Sequence, residues 1–219
     1  MDKICVDKIY VCHWNKLTHR KEILGRCITD LKLVDKTEWV ELYDKDSWCK
    51  QELMQKYPKL FGYNPKGRKI NLSEISLALK HIHIIHEVIT HKYSNVLVLE
   101  DDVVMVDGFI EKFNKYFSQL PSDYDLAWVG TCCELYSKDI EPGVNVYKHE
   151  SSSRCTHCYI MSYTGAMKMV EQFGDINDAI DWYFNSLIIN TPLNNFWFEP
   201  PLAYQNINFK TTIQGINEF

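Results

Sequence analysis

Three consecutive acidic residues, Glu100, Asp101 and Asp102, directly follow the apolar run of residues 96–99. An uninterrupted apolar run is typical of a strand that is buried on both faces of a parallel sheet. Ligands of such sheets bind beyond the carboxyl ends of the strands, which is where these acids would lie. Carboxylates are ligands that Mg2+ and Mn2+ prefer, and one or two suffice when a substrate's phosphates also bind the ion. The triplet therefore predicts a divalent-cation site with Asp102, and either Asp101 or Glu100, as ligands.

An ordinary structural role is the alternative interpretation of this triplet. Acids that follow a strand also occur in solvated turns and as helix caps. Three adjacent carboxylates repel one another, however, and a bound cation relieves that repulsion. The repulsion favours the metal site over the turn.

The remaining pattern of apolar residues predicts the elements that must position these acids. Strands are predicted where apolar or alternating runs occur, and helices where apolar residues recur every three or four positions. The predicted strands are residues 8–12, 38–42, 96–99, 125–130 and 158–162, and the predicted helices are residues 18–31, 47–57, 71–90, 109–117 and 163–173. Turn formers predict an exposed loop at residues 61–68, and polar residues 137–153 predict a hairpin with a mobile loop. This order predicts a single α/β domain over residues 1–219, with a mostly parallel, Rossmann-like sheet flanked by helices.

The longest predicted helix begins with a capping signature. Asn71 and Glu74 have the spacing of a capping box, in which Asn71 accepts a bond from a backbone N–H and Glu74 reaches back. Glu74 could equally serve a ligand site, since a helix N-terminus at a sheet edge also favours a diphosphate. His81 and His83 are two positions apart and cannot share one helix face, so we expect no histidine metal site on this helix.

The overall composition excludes several classes of protein. Of the 219 residues, 46% are hydrophobic, and 29 acidic against 24 basic side chains give a net charge of −5. Because no run of Lys or Arg concentrates positive charge, nucleic acid is not an expected partner. Charges recur every few positions at the N-terminus, unlike in a secretory signal, and no segment approaches the roughly 18 apolar residues that span a bilayer. The chain is therefore expected to be cytoplasmic.

The spacing of the eight cysteines argues against structural zinc. Cys155 and Cys158 are spaced like one pair of zinc ligands, but Cys132 and Cys133 are adjacent rather than two residues apart. In the absence of a secretory signal, the cysteines are expected to be free thiols rather than a disulfide framework.

With its neighbours, the acid triplet resembles glycosyltransferase family 25, the group of lipooligosaccharide-biosynthesis enzymes and procollagen galactosyltransferases. Residues 73–81 resemble the family's helix-start motif, and Glu74, Leu79 and His81 match it in type and spacing. Four further elements follow in the family's order: an aliphatic strand ending in Glu-Asp-Asp (96–102), a strand–turn–helix segment (159–166), a later aspartate (Asp181) and a Pro-Pro-to-Gln element (200–205). The resemblance covers about residues 8–205. The chain departs from the family where two helix-start glycines are Ser73 and Ser76, and where Cys12-His13-Trp14 precedes Arg20 in place of Ile-Asn-Leu.

This resemblance implies a GT-A-like fold, a nucleotide-diphosphate sugar donor, Mn2+ or Mg2+ as cofactor, and inversion at the anomeric carbon. The expected reaction moves a hexose, galactose or glucose, from a UDP-sugar to a glycan or another hydroxylated acceptor. The residues expected to contact the donor are Arg20, Lys69, Glu74, Glu100 and Asp101.

Asp181 has two interpretations. An acid at a helix N-terminus is stabilised by the helix dipole without any function. The other interpretation is a general base that removes the proton of the acceptor hydroxyl, and the position of Asp181 in the resemblance favours this role. Asp178 is the second candidate for the base, and Trp182 or Tyr183 would stack on the acceptor sugar.

Two other functions compete with the transferase. A nucleotidyltransferase also uses acids that follow a strand, but it needs a glycine-rich phosphate loop, which this sequence lacks. A catalytically silent nucleotide- or glycan-binding domain is compatible with the two serines at the helix start. Turnover of a nucleotide sugar distinguishes the enzyme from the silent domain.

Overall fold

Two β-sheets organise the chain in a computed structural model, which describes residues 3–47, 49–150 and 154–209. The strands of these residues are β1 (Lys8–Cys12), β2 (Thr37–Val40), β3 (Asn95–Glu100), β4 (Val103–Met105), β5 (Leu126–Trp128), β6 (Gly130–Thr131), β7 (Val146–Lys148), β8 (Cys158–Ser162), β9 (Asn195–Phe198) and β10 (Ala203–Gln205). The α-helices are α1 (Thr18–Asp30), α2 (Lys50–Lys56), α3 (Leu72–His91), α4 (Phe109–Phe117), α5 (Tyr163–Val170) and α6 (Ile180–Asn190). Short 3-10 turns occur at Val34–Lys36, Pro58–Phe61 and Phe173–Asp175.

The larger sheet has seven strands in the order β2-β1-β3-β8-β5-β9-β7. β2, β1 and β3 are parallel neighbours, and β5 and β9 are also parallel, whereas β8 and β7 are antiparallel to the strands beside them. The predicted α/β class is confirmed, and the sheet is mixed. All five side chains of β8 are buried, and a strand buried on both faces has the same apolar pattern whichever way it runs.

A smaller sheet in the order β4-β10-β6 lies beside the acid triplet. β4 begins directly after Asp102, and β10 pairs antiparallel with it, so that Gln205 lies opposite Val103. Residues 203–205, distant from the triplet in sequence, are thereby placed next to it.

Two apolar cores cover the two faces of the larger sheet. Alternate residues of β3 face opposite sides, and Val96 and Val98 pack in the core that contains α3, α5 and α6. Leu97 and Leu99 pack in the other core, with residues of α1 and α4. All four side chains are fully buried, which explains the uninterrupted apolar run. The triplet is thus held at the end of a rigid central strand.

Several predicted boundaries differ from the structure. α2 covers only Lys50–Lys56, and α5 ends at Val170 before the 3-10 turn. The strand predicted over residues 125–130 is divided into β5 and β6, which belong to different sheets. In the region of the predicted hairpin, β7 pairs with β9 instead, and residues 151–153 lie outside the described residues.

The expectation that every cysteine is a free thiol is wrong for one pair. Cys132 and Cys155 form a disulfide with a Cα–Cα distance of 6.1 Å. The other cysteines are free thiols: Cys5, Cys12, Cys27, Cys49, Cys133 and Cys158. The fold brings together residues 23 positions apart, a proximity that sequence spacing does not reveal. None of the helices within the described ranges is long and apolar enough to cross a membrane.

Candidate active site

A crevice opens at the carboxyl ends of β1 and β3. The acid triplet forms part of its wall, and α1 contributes Arg20, α3 contributes Ser76 and Lys80, and β10 contributes Gln205. This is the sheet edge at which the apolar run predicts a ligand site. Arg20, which is expected to contact the donor, lies in this crevice beside the acids, so the crevice contains both acidic and basic groups.

Asp101 is held by two basic side chains. His13 Nδ1 lies 2.8 Å from Asp101 Oδ2, and Arg20 donates from a guanidinium nitrogen to Oδ1 at 2.8 Å. All three side chains are almost fully buried. Because both oxygens of Asp101 are engaged, this carboxylate is fixed in position and fixes Arg20 in turn.

Asp102 has a different environment. Its Oδ2 lies 3.3 Å from Gln205 Nε2 and 3.5 Å from Arg20, whereas its buried Oδ1 has no hydrogen-bond partner within the described residues. Burial and the charge of Glu100 raise the pKa of Asp102 to about 7. An incompletely bonded carboxylate oxygen next to another acid fits a hard divalent cation, which would supply the missing partner and favour the ionised form.

Glu100 is embedded in a buried polar network. Its Oε1 accepts a 2.5 Å hydrogen bond from the hydroxyl of Thr156 and lies 3.7 Å from His81 Nε2. The other ring nitrogen of His81 lies 2.9 Å from the hydroxyl of Tyr159. Burial acts to raise the pKa of Glu100, but His81 and Thr156 outweigh it, so the pKa is lowered. Glu100 is therefore held as an anion at the base of the crevice.

Glu74 confirms the capping interpretation. Asn71 accepts from the backbone N–H groups of Ser73 and Glu74, and Glu74 accepts from the N–H of Asn71 at 2.9 Å. Arg68 also donates two 2.8 Å bonds to the Glu74 carboxylate. Glu74 is therefore occupied by the cap and by Arg68, and it does not line the crevice. Lys69 likewise lies outside the crevice lining, on an exposed loop.

Asp181 lies at the start of α6 and has a raised pKa. Burial is the main cause, and the charges of Glu100 and Asp178 add to it. Asp178, in contrast, accepts hydrogen bonds from Asn64 at 3.0 Å and from the N–H of Ala179 at 2.9 Å. The Asp181 carboxylate is bonded by backbone N–H groups at the start of α6, including that of Trp182, whereas Asp178 is also held by a side chain.

The two aromatic candidates beside Asp181 differ in exposure. Trp182 is 53% exposed, and Lys66 Nζ lies 4.7 Å from its ring centroid. Tyr183 is 7% exposed and donates from its hydroxyl to the carbonyl of Gln172 at 2.5 Å. The structure therefore places Tyr183 in the core, and Trp182 is the one of this pair that could stack on a ligand.

Sequence reasoning missed two residues that shape the crevice. His13 follows β1 directly, so the sheet-edge rule that selects the triplet would also have selected His13 if applied to the neighbouring strand. Lys80 is buried on α3 and donates to Asp44 at 2.6 Å and to the carbonyl of Leu42 at 2.6 Å. Lys80 thereby connects α3 to the segment that follows β2. No local sequence pattern predicts these contacts.

The comparisons with known proteins identify one family. A model of glycosyltransferase family 25 (LPS biosynthesis protein) matches residues 6–184. That range contains the triplet, Arg20 and Asp181, but not Gln205. A comparison with curated protein sequences found no match. Among solved structures, the crystal structure of A197 from STIV is similar, with 12% identity, a TM-score of 0.45, and coverage of 87% of this chain and 80% of that chain.

Proposed function

The chain belongs to glycosyltransferase family 25 and is a glycosyltransferase, and we propose that it is a metal-dependent, inverting enzyme. The proposed reaction moves a hexose, galactose or glucose, from a UDP-sugar to a glycan or another hydroxylated acceptor. A GT-A-like architecture is part of this proposal. It is supported by the parallel strands β2, β1 and β3, by the helices packed on both faces, and by the acids at the carboxyl edge.

The observation that carries the metal proposal is the environment of Asp102. Its Oδ1 is buried and lacks a partner among the described residues, and its pKa is raised to about 7. Asp102 is the ligand that these contacts favour, with Glu100 or Asp101 as the second carboxylate. A bound Mn2+ or Mg2+ supplies positive charge that stabilises the diphosphate leaving group.

Arg20 is proposed to orient the donor from the same wall. Its guanidinium is buried and is fixed by Asp101, so it is already positioned before a ligand arrives. A pre-positioned guanidinium recognises phosphate oxygens with little loss of conformational freedom. Gln205, which contacts Asp102, is proposed to hold that carboxylate in its orientation.

Asp181 is proposed to be the general base of the acceptor side. A raised pKa makes its carboxylate a better proton acceptor than an exposed aspartate, provided that it is ionised. It would take the proton of the acceptor hydroxyl as the hydroxyl oxygen attacks the anomeric carbon, opposite the departing diphosphate. The exposed ring of Trp182 lies next in sequence and offers a surface on which a sugar can stack.

Substitution of Asp102 tests the proposal. The protein is incubated with Mn2+, a panel of UDP-sugars and a panel of glycan acceptors, and UDP release is measured. Asp102→Asn keeps the shape of the side chain but removes its charge, and we expect it to reduce release to the background level. Asp139→Asn, at an exposed acid, is the matched control and should retain full activity. Undiminished release by Asp102→Asn with an unchanged circular dichroism spectrum would remove the metal from the proposal.

A further inference from the structure

Three cysteine sulfurs converge outside the crevice, and the proposed transfer reaction does not use them. Cys132 and Cys155 are joined in a disulfide, and Cys133 is an exposed free thiol. The three Sγ atoms all lie within 4.8 Å of one another. A free thiol is therefore positioned beside a disulfide whose sulfurs it can approach.

The local backbone explains how adjacent cysteines come to share one side. In an extended strand, successive side chains point to opposite faces. Here β6 ends at Thr131, and Cys133 and Glu134 each have a φ of 55°. Cys155 has a φ of 62° on the opposite segment. These left-handed conformations, uncommon for residues other than glycine, end the strand alternation and let both sulfurs face Cys155.

We propose that these residues form a thiol–disulfide exchange site in which Cys133 is the attacking nucleophile. Cys133 loses its proton to solvent, and its thiolate attacks Cys155 Sγ. A Cys133–Cys155 bond forms as the Cys132–Cys155 bond breaks, and Cys132 leaves as a thiolate that then takes up a proton. The step rearranges one disulfide and one thiol, so it needs neither an oxidant nor a reductant.

Attack on Cys155 is favoured over attack on Cys132. A bond between Cys133 and Cys132 would join adjacent residues in a small, strained ring. A bond to Cys155 closes a loop one residue shorter than the original, so the entropy of loop closure is almost unchanged. The two disulfide isomers are thus closely matched in chain topology, and exchange between them is feasible.

The exchange site is connected to the crevice by a short path. Thr156, which follows Cys155, donates the hydrogen bond to Glu100. On the other segment, the carbonyl of Leu135 accepts from Thr131 and from the buried Arg154. Moving the tether from Cys132 to Cys133 shifts these two segments relative to each other. We therefore expect the isomer to alter the hydrogen bond on Glu100, a consequence that rests on the proposed function.

The test maps the free thiol in the wild-type protein. The protein is held at mildly alkaline pH, samples are quenched with acid over time, and free thiols are alkylated. Tandem mass spectrometry of the peptide that contains both cysteines then shows which one is alkylated. We expect the label to begin on Cys133 and to appear increasingly on Cys132. A label that stays on Cys133 throughout would overturn the proposal.

Two variants provide an independent measurement. Cys132→Ser, treated with glutathione disulfide as oxidant, should form the Cys133–Cys155 bond, and Cys133→Ser should keep the original bond without rearrangement. The exposed thiols Cys5 and Cys49 serve as internal references, at which glutathione disulfide gives mixed disulfides with glutathione and no bond to another cysteine of the chain. If Cys132→Ser folds but leaves Cys133 and Cys155 each alkylated or bound to glutathione, without a bond between them, the exchange is refuted. This readout does not need transferase activity. If the disulfide exchanges but both isomers release UDP at the same rate, only the effect of the exchange on Glu100 is refuted.

Discussion

The acid triplet and Asp181 have contrasting surroundings in this glycosyltransferase. The triplet is almost fully buried, and His13, Arg20, Thr156 and Gln205 all contact its carboxylates. Asp181 is also largely buried, but within the described residues its carboxylate is bonded by backbone N–H groups at the start of α6 and by no side chain. A network of buried polar partners fixes geometry before a ligand binds, whereas a sparsely bonded acid can adapt to one. With the proposed roles, the donor side is pre-organised and the acceptor side is more adaptable.

The largest effect should come from removing the proposed base. Asp181→Asn keeps the size of the side chain but cannot accept the proton, so we expect kcat to fall about 10²–10⁴-fold. Binding of UDP with Mn2+, measured by titration calorimetry, should be unchanged, because the acid triplet and Arg20 are unaltered. Asp175→Asn, at a 77% exposed side chain, is the control and should leave kcat unaltered. A loss of UDP binding in Asp181→Asn would show that the two acid groups do not act separately.

Substitution of Arg20, on the proposed donor side, should instead lower the free energy of unfolding. Arg20→Ala removes the guanidinium from the buried Asp101 and leaves His13 as its remaining partner, so we expect a cost of up to about 3–5 kcal/mol, the cost of breaking a buried pair. Urea unfolding should therefore give a markedly lower midpoint. Arg26→Ala, at an exposed position on the same helix, should change the free energy of unfolding by less than about 0.5 kcal/mol. Equal midpoints for the two variants would contradict the view that the ion pair is buried and structural.

The sequence predicted the parts of this comparison that depend on local pattern. The run before Glu100 is apolar at every position because Val96 to Leu99 pack alternately in two cores, and a window of a few residues is enough to reveal that pattern. The capping box of Asn71 and Glu74 was equally predictable, because both residues lie within one helical turn. Local spacing therefore identified the strand, the edge and the cap.

The contacts that finish the site join residues far apart in sequence. Asp102 meets Gln205 only because β10 pairs with β4, and Glu100 meets Thr156 only because β8 lies beside β3. The antiparallel direction of β8 and the disulfide between Cys132 and Cys155 also depend on contacts between residues far apart in sequence. No periodicity encodes such pairings, since they depend on the order in which strands assemble. Their positions could be known only once the topology was known.

The raised pKa of Asp102 predicts how stability depends on pH. An acid whose pKa rises from the ordinary 3.8 to about 7 on folding stabilises the folded state below pH 4, and this contribution is lost as the pH rises to about 7. Burial lowers the pKa of His157, which acts in the opposite direction. The wild type must therefore be compared with Asp102→Asn, in which only the first contribution is absent.

Between pH 5 and pH 8, we expect the free energy of unfolding to fall on the order of 1–3 kcal/mol more in the wild type than in Asp102→Asn. Added Mn2+ should abolish the difference in slope, because a bound cation favours the ionised carboxylate. Urea titrations at several pH values, with EDTA or with Mn2+, measure both slopes. Parallel curves for the two proteins in EDTA would mean that Asp102 titrates normally.

The smallest effect should come from the exposed aromatic side chain of the acceptor side. Trp182→Ala removes a surface for sugar stacking, and we expect the KM for the acceptor to rise about 10-fold, the effect of losing roughly 1.4 kcal/mol of binding. Because Trp182 is 53% exposed, the unfolding midpoint should hardly change. Tyr183→Phe is the informative counterpart, since it removes the buried hydrogen bond to Gln172 and should cost about 0.5–1.5 kcal/mol of stability without changing the KM. Should Tyr183→Phe raise the KM and Trp182→Ala leave it unchanged, the adaptable acceptor surface would have to be sought elsewhere than on Trp182.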